Sequence, residues 1–204
     1  QSFPAQLPDG RWVALLSHMH APQRRAEVEV VAAWYRARGA VLLEQDAHRP
    51  VPFEGMGDAH WFPGHRLVIG GHGFRTEPAI YERVAHRVGI PVVRLKLVDP
   101  RFYHLDTCLA PLDARTALFV PQAFEPEGCA LLEKLFERLI PVPLDEASHL
   151  LACNGHCPDQ QHFLVQRGAK TTNALVRDAG FEVIEVDTSE FLKSGGSVFC
   201  MKLM

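Results

Sequence analysis

Residues 66–98 (RLVIGGHGFRTEPAIYERVAHRVGIPVVRLKLV) carry the clearest secondary-structure pattern of the chain. The apolar run Arg66–Gly70 predicts a strand, and Glu77–Arg87 predicts a helix that ends at Gly89. A second strand is predicted at Val92–Val98, a run rich in valine. An order of strand, helix and strand within so short a segment is typical of α/β proteins.

The same order recurs along the chain, each time with a further strand in front. Strands beginning near Arg11, Arg66, Thr116 and His162 each precede a helix, at intervals of 55, 50 and 46 residues. A period near 50 residues built from one ββαβ unit predicts a repeat architecture. Because no linker or low-complexity segment interrupts the pattern, residues 1–204 are predicted to form one domain of four repeats.

The other predicted elements complete this order. The predicted helices are Pro22–Arg38, Pro126–Arg138 and Ala169–Ala179. The predicted strands are Trp12–Ser17, Val41–Glu44, Phe53–Phe62, His104–Leu112, Ala117–Val120, Leu139–Val142, Leu150–Asn154, Phe163–Val165, Glu182–Val186 and Val198–Leu203. The last of these resembles the first strand of a fifth repeat, so a further ~50–60 residues are expected before Gln1.

Composition excludes several classes of protein. The chain has 204 residues, of which 47% are hydrophobic and 22% charged, so it can bury a core and is not a disordered chain. No apolar run approaches the ~20 residues that a membrane-spanning helix needs. A net charge of -3 without a block of Lys or Arg argues against nucleic-acid binding.

The five cysteines form an odd and scattered set, which is typical of a cytoplasmic protein and not of a disulfide framework. Cys153 and Cys157 have a spacing that zinc sites allow. The second ligand pair that such a site needs is missing, so no metal site is predicted.

The repeat also aligns side chains of chemical interest. Glu54, His104, Asn154 and Cys200 lie at equivalent positions, separated by 50, 50 and 46 residues. In a closed ring of repeats, equivalent positions converge on the axis. A carboxylate, an imidazole and a thiol would then meet there, which is the set that a cysteine nucleophile requires.

Each candidate also has a structural interpretation when taken alone. Cys200 fits a buried core thiol, His104 a structural histidine and Glu54 a turn residue. Asp58 is interpreted as a turn cap, and Arg75 fits an ion pair at the surface. Only the joint occurrence of ordered motifs favours a catalytic interpretation.

Four segments are similar to the motifs of guanidino-group-modifying enzymes. They are residues 53–58 (FEGMGD), 73–76 (GFRT), 97–107 (LVDPRFYHLDT) and 189–200 (SEFLKSGGSVFC). The family includes dimethylarginine dimethylaminohydrolases, arginine deiminases and dihydrolases, and amidinotransferases. The resemblance implies a pentein-type α/β propeller of ββαβ modules, of which about four of five are present in this single amidinotransferase/dimethylaminohydrolase-like domain.

The resemblance also assigns roles to residues. Cys200 would be the nucleophile, His104 a general acid and base, and Glu54 the residue that orients His104. Asp106, Arg75 and Asp58 are the candidate substrate-binding residues, with Asp106 on the guanidinium and Arg75 on a substrate carboxylate. No cofactor and no metal are expected.

A guanidinium is a delocalised cation, and a carboxylate with paired acceptors suits its fork of N–H donors. On a strand, Asp106 and His104 would share one face. Attack by Cys200 on the central carbon would give a covalent amidino-thioether, which water would hydrolyse with help from His104.

The predicted function is therefore cleavage of a C–N bond in an arginine-like guanidino substrate. Dimethylarginine dimethylaminohydrolase-like and arginine deiminase- or dihydrolase-like activities stay open as alternatives. An amidinotransferase, in which an amine and not water completes the reaction, is a further alternative. A truncated, non-catalytic binding relative is the last, and a homodimer stays open.

Overall fold

The computed structural model describes residues 2–45 and 48–202, and its elements follow the predicted ββαβ order. The first repeat consists of β1 Ser2–Gln6, β2 Trp12–Leu16, α1 Glu27–Arg36 and β3 Val41–Leu43. The second consists of β4 Ala59–Trp61, β5 Val68–His72, α2 Ile80–Val88 and β6 Val92–Lys96. The third consists of β7 Leu109–Pro111, β8 Thr116–Phe119, α3 Pro126–Leu135 and β9 Arg138–Pro141. The last part contains α4 Leu144–His149, β10 His162–Gln166, α5 Lys170–Asp178, β11 Glu182–Val186 and α6 Ser189–Leu192.

The strands of each repeat form a small sheet of their own. In the first and third repeats a hairpin pairs the first two strands antiparallel, and the helix returns the chain so that the last strand runs parallel to the second. The second repeat has the same strand order, β4-β5-β6. In the fourth, β10 and β11 are parallel, and an isolated bridge between His156 and Leu164 stands in place of the first strand. The predicted α/β class and the ββαβ period are confirmed.

The described residues form two compact units. The N-terminal unit contains the residues up to 61 together with 66–95, and the C-terminal unit contains 62–65 together with the residues from 96 onward. The single domain that the sequence predicts stays a prediction, and so does closure of the repeats into a propeller.

Strand β2 shows how the N-terminal unit is packed. Its side chains alternate between two faces, as strand geometry requires. Val13 and Leu15 pack into a cluster with residues of α2, whereas Ala14 packs with Tyr35 of α1. Both faces of this strand are therefore covered by a helix or by neighbouring core residues.

Two predicted strands are wrong, and both lie beside Asn154. Residues 150–154 follow α4 as a turn, in which Leu151 has a left-handed φ of 48° that no strand allows. The predicted strand Val198–Leu203 contains a 3₁₀ turn at Phe199–Met201, and Leu203 lies outside the described residues. The turn forms because Asn154, and not a neighbouring strand, accepts hydrogen bonds from the backbone N–H groups of this segment.

Two further predicted strands begin later than expected, each after a 3₁₀ turn. Gly55–Gly57 precedes β4, and Leu105–Thr107 precedes β7. At Gly55 φ is +61°, and a Cβ would lie 2.5 Å from the backbone of Ser2, so an extended residue with a side chain does not fit there. Ser2 belongs to β1, which the sequence analysis missed because Pro4 disfavours a strand except at an edge, where β1 lies.

Candidate active site

The glycine pair before the cysteine allows two side chains to approach the backbone closely. Gly195 has a φ of +83°, and a Cβ there would lie 2.9 Å from the hydroxyl oxygen of Tyr103. That hydroxyl donates a hydrogen bond to the Gly195 carbonyl at 2.5 Å. A Cβ on Gly196 would lie 3.1 Å from the Cβ of Cys200. The pair therefore serves to place the segment from Gly195 to Cys200 against the segment that contains Tyr103.

Cys200 is an exposed residue whose sulfur faces a carboxylate and an amide. The thiol donates to Asp106 Oδ2 at 3.2 Å, and Asn154 Nδ2 donates to the sulfur at 3.3 Å. Desolvation of the sulfur raises the pKa of the Cys200 thiol, and the Asp106 carboxylate raises it further. Hydrogen bonds from Asn154 and from the backbone of Ser197 lower this pKa by less. Without substrate the thiol is therefore protonated at neutral pH.

Asp106 is 2% exposed and lies in the 3₁₀ turn Leu105–Thr107. Local hydrogen bonds close this turn, because Thr107 donates both its backbone N–H and its hydroxyl to the carbonyl of His104. The expectation that His104 and Asp106 share a face of a strand is therefore wrong. His104 precedes the turn as a buried residue, with its ring 4.8 Å from the ring of Tyr103.

Lys202 adds a basic group beside this carboxylate. Its Nζ lies 3.4 Å from the ring centroid of Phe199 and 3.4 Å from Nδ1 of His156. Desolvation lowers the pKa of Lys202 to about 7, and the Asp106 carboxylate opposes that shift. Desolvation also lowers the pKa of His156 to about 4, with Lys202 adding to the effect. His156 is therefore neutral at physiological pH, whereas Lys202 exchanges between its charged and neutral forms near pH 7.

In the N-terminal unit, Glu54 is 3% exposed, and its carboxylate contacts a backbone N–H group and a guanidinium. Its Oε1 accepts a hydrogen bond from the backbone N–H of His20 at 2.9 Å. Its Oε2 lies 3.5 Å from Nη1 of Arg75. The carboxylate thus has a fixed orientation and a compensating cation.

Asp58 is fixed by contacts at the start of α2. The hydroxyl of Thr76 donates to Asp58 Oδ2 at 2.7 Å, and the backbone N–H of Glu54 donates to the same hydroxyl at 3.2 Å. The hydroxyl of Tyr81 lies 3.0 Å from the carbonyl oxygen of Asp58. These contacts hold the turn between Glu54 and Asp58 against α2.

The structure thus arranges the predicted residues in two groups. Cys200 and Asp106 meet in the C-terminal unit, with His104 just before Asp106 in the chain. Glu54 contacts Arg75 in the N-terminal unit, where Asp58 is tied to Thr76. The catalytic and substrate-binding roles of all six residues stay predictions.

Asn154 and Lys202 are site residues to which the sequence analysis gave no role. The 50-residue spacing named Asn154, but its contacts to Cys200 and Asp106 join residues distant in the sequence. Lys202 follows Cys200 by two positions, and no motif marks it.

Metal binding and membrane insertion were also tested on the described part of the chain. Within it no three His, Cys, Asp or Glu side chains are grouped in a way that could hold a metal ion. Its helices are all too short or too polar to cross a bilayer. Cys153 and Cys157 are buried, and burial raises the pKa of both thiols.

The ββαβ repeats and the contact between the Cys200 thiol and the buried Asp106 carboxylate are features expected of a pentein-type scaffold. Comparisons with known proteins extend this class. No protein-family model matches the chain. It is 38% identical over 195 residues to the N(G),N(G)-dimethylarginine dimethylaminohydrolase of Mycobacterium tuberculosis, covering 94% of this chain and 61% of that protein.

It is also 33% identical over 192 residues to the bifunctional arginine dihydrolase/ornithine cyclodeaminase ArgZ of Synechocystis sp., covering 93% of this chain and 26% of that protein. A crystal structure of the N-terminal domain of an ArgZ variant, covalently bound to a reaction intermediate, superimposes with a TM-score of 0.87 at 32% identity. The match covers 97% of this chain and 71% of that one. The chain belongs to the guanidino-group-modifying enzyme superfamily, and it spans less than two thirds of the length of these two curated relatives.

Proposed function

We propose that this protein hydrolyses a C–N bond of an arginine-like guanidino compound through a covalent intermediate on Cys200. The observation that carries the proposal is the 3.2 Å contact between the Cys200 sulfur and Asp106 Oδ2. A nucleophile that lies within hydrogen-bond distance of a buried carboxylate is placed to attack a cation that the carboxylate binds.

The charge of Asp106 selects the kind of substrate. A buried carboxylate matches a planar guanidinium, which presents paired N–H donors and carries one positive charge. Binding would replace the thiol proton as the partner of Oδ2 and would compensate the negative charge that now raises the pKa of Cys200. Substrate binding would therefore favour the thiolate, the reactive form of the nucleophile.

The reaction would proceed in two stages, formation of an amidino-thioether on Cys200 and its hydrolysis. The Cys200 thiol loses its proton to solvent, and the thiolate forms a bond to the central guanidino carbon. The bond from that carbon to one nitrogen breaks as His104 donates a proton to the departing amine. His104 then takes one proton from a water molecule as the water oxygen bonds to the carbon of the amidino-thioether. Cys200 leaves as the thiolate, the second water proton passes to the released amine, and the ureido product carries the oxygen of the water.

Glu54 would orient His104, and Arg75 and Asp58 would contribute to substrate binding, as the resemblance implies. A cytoplasmic location is expected, since all five cysteines are unpaired thiols. The relatives match this proposal in their names, which describe hydrolysis of dimethylarginine and of arginine.

The test is to incubate the protein separately with L-arginine and with asymmetric dimethylarginine and to assay citrulline, ornithine, ammonia and dimethylamine. Cys200→Ser serves as the matched control. We expect product with one of the two substrates and none with the variant, together with a Cys200 adduct in quenched wild-type samples by mass spectrometry. Absence of product and adduct with both compounds would overturn the proposal for this chain.

The same experiment separates the alternatives. An amidinotransferase would form the Cys200 adduct with release of one equivalent of ornithine from arginine, and it would turn over only after an amine such as glycine is added. A binding relative without catalytic activity is the remaining alternative. Saturable binding of arginine without any adduct would identify that case.

A further inference from the structure

Asn154 is fully buried and uses every hydrogen-bonding position of its side chain. Its Nδ2 donates to the sulfur of Cys200 at 3.3 Å and to the carbonyl of Asp106 at 3.1 Å. Its Oδ1 accepts from the backbone N–H groups of Ser197 at 2.9 Å and Cys200 at 3.3 Å. Because two N–H donors face Oδ1, the amide has only one orientation that satisfies its partners, and this orientation aims the NH₂ group at the sulfur.

A chain of buried hydroxyl and amide groups supports the acceptor side of this amide. The hydroxyl of Ser197 lies 2.7 Å from the hydroxyl of Thr188. Gln166 Oε1, at the end of β10, accepts from both the hydroxyl and the backbone N–H of Thr188, at 2.5 and 2.6 Å. Gln166, Thr188 and Ser197 are all buried. Buried side chains therefore connect the backbone of the Cys200 segment to strand β10. Asn154 completes this connection through its contacts to Ser197 and Cys200.

We propose that Asn154 is a positioning residue that holds the Cys200 sulfur against Asp106 and supplies the hydrogen bond that retains the thiolate once a guanidinium occupies that carboxylate. Only the second half of this inference, the retention of the thiolate when a guanidinium is bound, rests on the proposed function. An N–H donor stabilises an anionic sulfur more than a neutral thiol, since hydrogen bonds to charged groups are the stronger ones. The donor to the sulfur stays in place when the carboxylate changes partner, because Asn154 is itself held by Ser197 and Asp106.

The charged and titratable groups near the sulfur define what a pH experiment reports. Asp106 is the carboxylate in contact with it, and Lys202 lies close enough to that carboxylate to be affected by its charge. His156 contacts Lys202 in turn. Asn154 is uncharged, so its replacement by alanine removes a hydrogen bond without changing the number of charges in the site.

The first experiment measures alkylation of Cys200 by iodoacetamide between pH 7 and 11 in the unliganded full chain, with Cys129 as an internal reference and peptide mass mapping as the readout. Asn154→Ala is expected to raise the pKa of the Cys200 thiol by about one unit, which lowers the alkylation rate about tenfold below that pKa. Asn173→Ala, at another buried asparagine of the C-terminal unit, is the matched control and should leave the profile unchanged. An unchanged or faster rate in a folded Asn154→Ala protein would overturn the proposal.

A second measurement does not depend on the folding of a variant. In the wild-type chain the Asn154 side-chain amide protons should exchange slowly with solvent and should shift in ¹H–¹⁵N spectra when Cys200 is alkylated. Fast exchange, or no shift on alkylation, would overturn the proposal.

The pH dependence of Cys200 adduct formation with saturating L-arginine, followed by rapid quench and mass spectrometry, tests the substrate-dependent half. The apparent pKa of adduct formation should be higher in Asn154→Ala than in the wild-type protein. An equal apparent pKa in both would overturn this half. If the wild-type protein forms no adduct, the proposed function fails with this substrate, while the unliganded profile still decides the role of Asn154.

Discussion

Glu54 and Asp106 are two carboxylates with nearly equal burial, at 3% and 2% exposure, one in each unit. Glu54 is held by a backbone N–H and by the Arg75 guanidinium. Asp106 instead accepts the proton of a thiol. Burial alone therefore does not distinguish these two carboxylates, for which the sequence predicts different roles.

The two carboxylates differ in the group that each one contacts. A carboxylate that already faces a cation has little to gain from a second one, whereas a carboxylate that faces a neutral thiol gains a charge-assisted pair when a guanidinium arrives. In the structure Glu54 is paired with the Arg75 guanidinium, whereas Asp106 Oδ2 accepts from a neutral thiol. The expected effects at Asp106, Glu54 and Lys202 test this contrast, and the response to alkaline pH compares the two units.

The largest expected effect is that of Asp106→Asn. Turnover of the guanidino substrate should fall on the order of 10²–10³-fold or more, since the charge that holds the cation is lost. The pKa of Cys200 should fall as well, because the carboxylate now raises it, so iodoacetamide should alkylate the unliganded variant faster at pH 8. Measuring kcat/KM and the alkylation rate on the same sample tests both expected changes, the decrease in turnover and the increase in alkylation. A parallel loss of turnover and alkylation would contradict the binding role of Asp106.

The corresponding change in the other unit is Glu54→Gln. The amide oxygen can still accept from His20, but Arg75 loses its anionic partner. The free energy of unfolding in urea should fall by about 1–2 kcal/mol. The alkylation profile of Cys200 should stay the same. A shift as large as that of Asp106→Asn would show that the two carboxylates are not distinct in their effect on the thiol.

Alkaline pH should destabilise the C-terminal unit first. Burial raises the pKa of Cys153, and burial together with Asp159 raises that of Cys157 to about 11, so the folded chain retains thiol protons that the unfolded chain loses above about pH 8.5. These two thiols should therefore lower the free energy of unfolding between pH 8.5 and 10, by up to about 1.4 kcal/mol per pH unit for each thiol. Lys202, whose pKa is lowered to about 7 in the folded chain, makes a contribution of opposite sign over this range.

Urea denaturation at three pH values measures how the free energy of unfolding changes with pH, and hydrogen exchange shows which unit loses stability. Every cysteine follows residue 100 in the sequence, so the N-terminal unit should retain its protection over the same range. Cys153→Val should flatten the slope. A slope of equal size in both units would contradict the assignment to thiols.

The smallest expected effect is on Lys202, whose pKa is lowered to about 7 while the Asp106 carboxylate opposes the shift. Asp106→Asn should lower this pKa further, and Glu54→Gln should not change it. Reductive ¹³C-methylation followed by NMR titration resolves Lys202 from the four other lysines of the sequence. An unchanged Lys202 pKa in Asp106→Asn would show that this carboxylate does not act on it.

The fold was predictable where local patterns decide it. Apolar runs such as Glu182–Val186 and helices that end at glycine were found with small shifts of their ends. Errors occurred where a distant residue satisfies the backbone, as at Phe199–Met201, whose neighbouring N–H groups bond to Asn154. Sequence pattern does not register hydrogen bonds between residues 46 positions apart.

The candidate site divides in the same way. Motifs at Cys200 and Asp106 marked side chains that the structure brings into contact. The repeat spacing marked Asn154 as an equivalent position, but only the structure shows what its amide contacts. Lys202 carried no signal in the sequence, because its lowered pKa comes from desolvation in the folded chain.

Glu54, His104 and Asn154 recur at intervals of 50 residues, and all three lie outside the strands, in a turn or directly before one. A substitution within a strand disturbs cross-strand neighbours and register, whereas one in a turn leaves the ladder intact. Duplication of such a module therefore creates a spare turn whose side chain can acquire a new chemistry at little cost to folding. Adaptation in this architecture can proceed by diversifying the turns while the sheets are inherited unchanged.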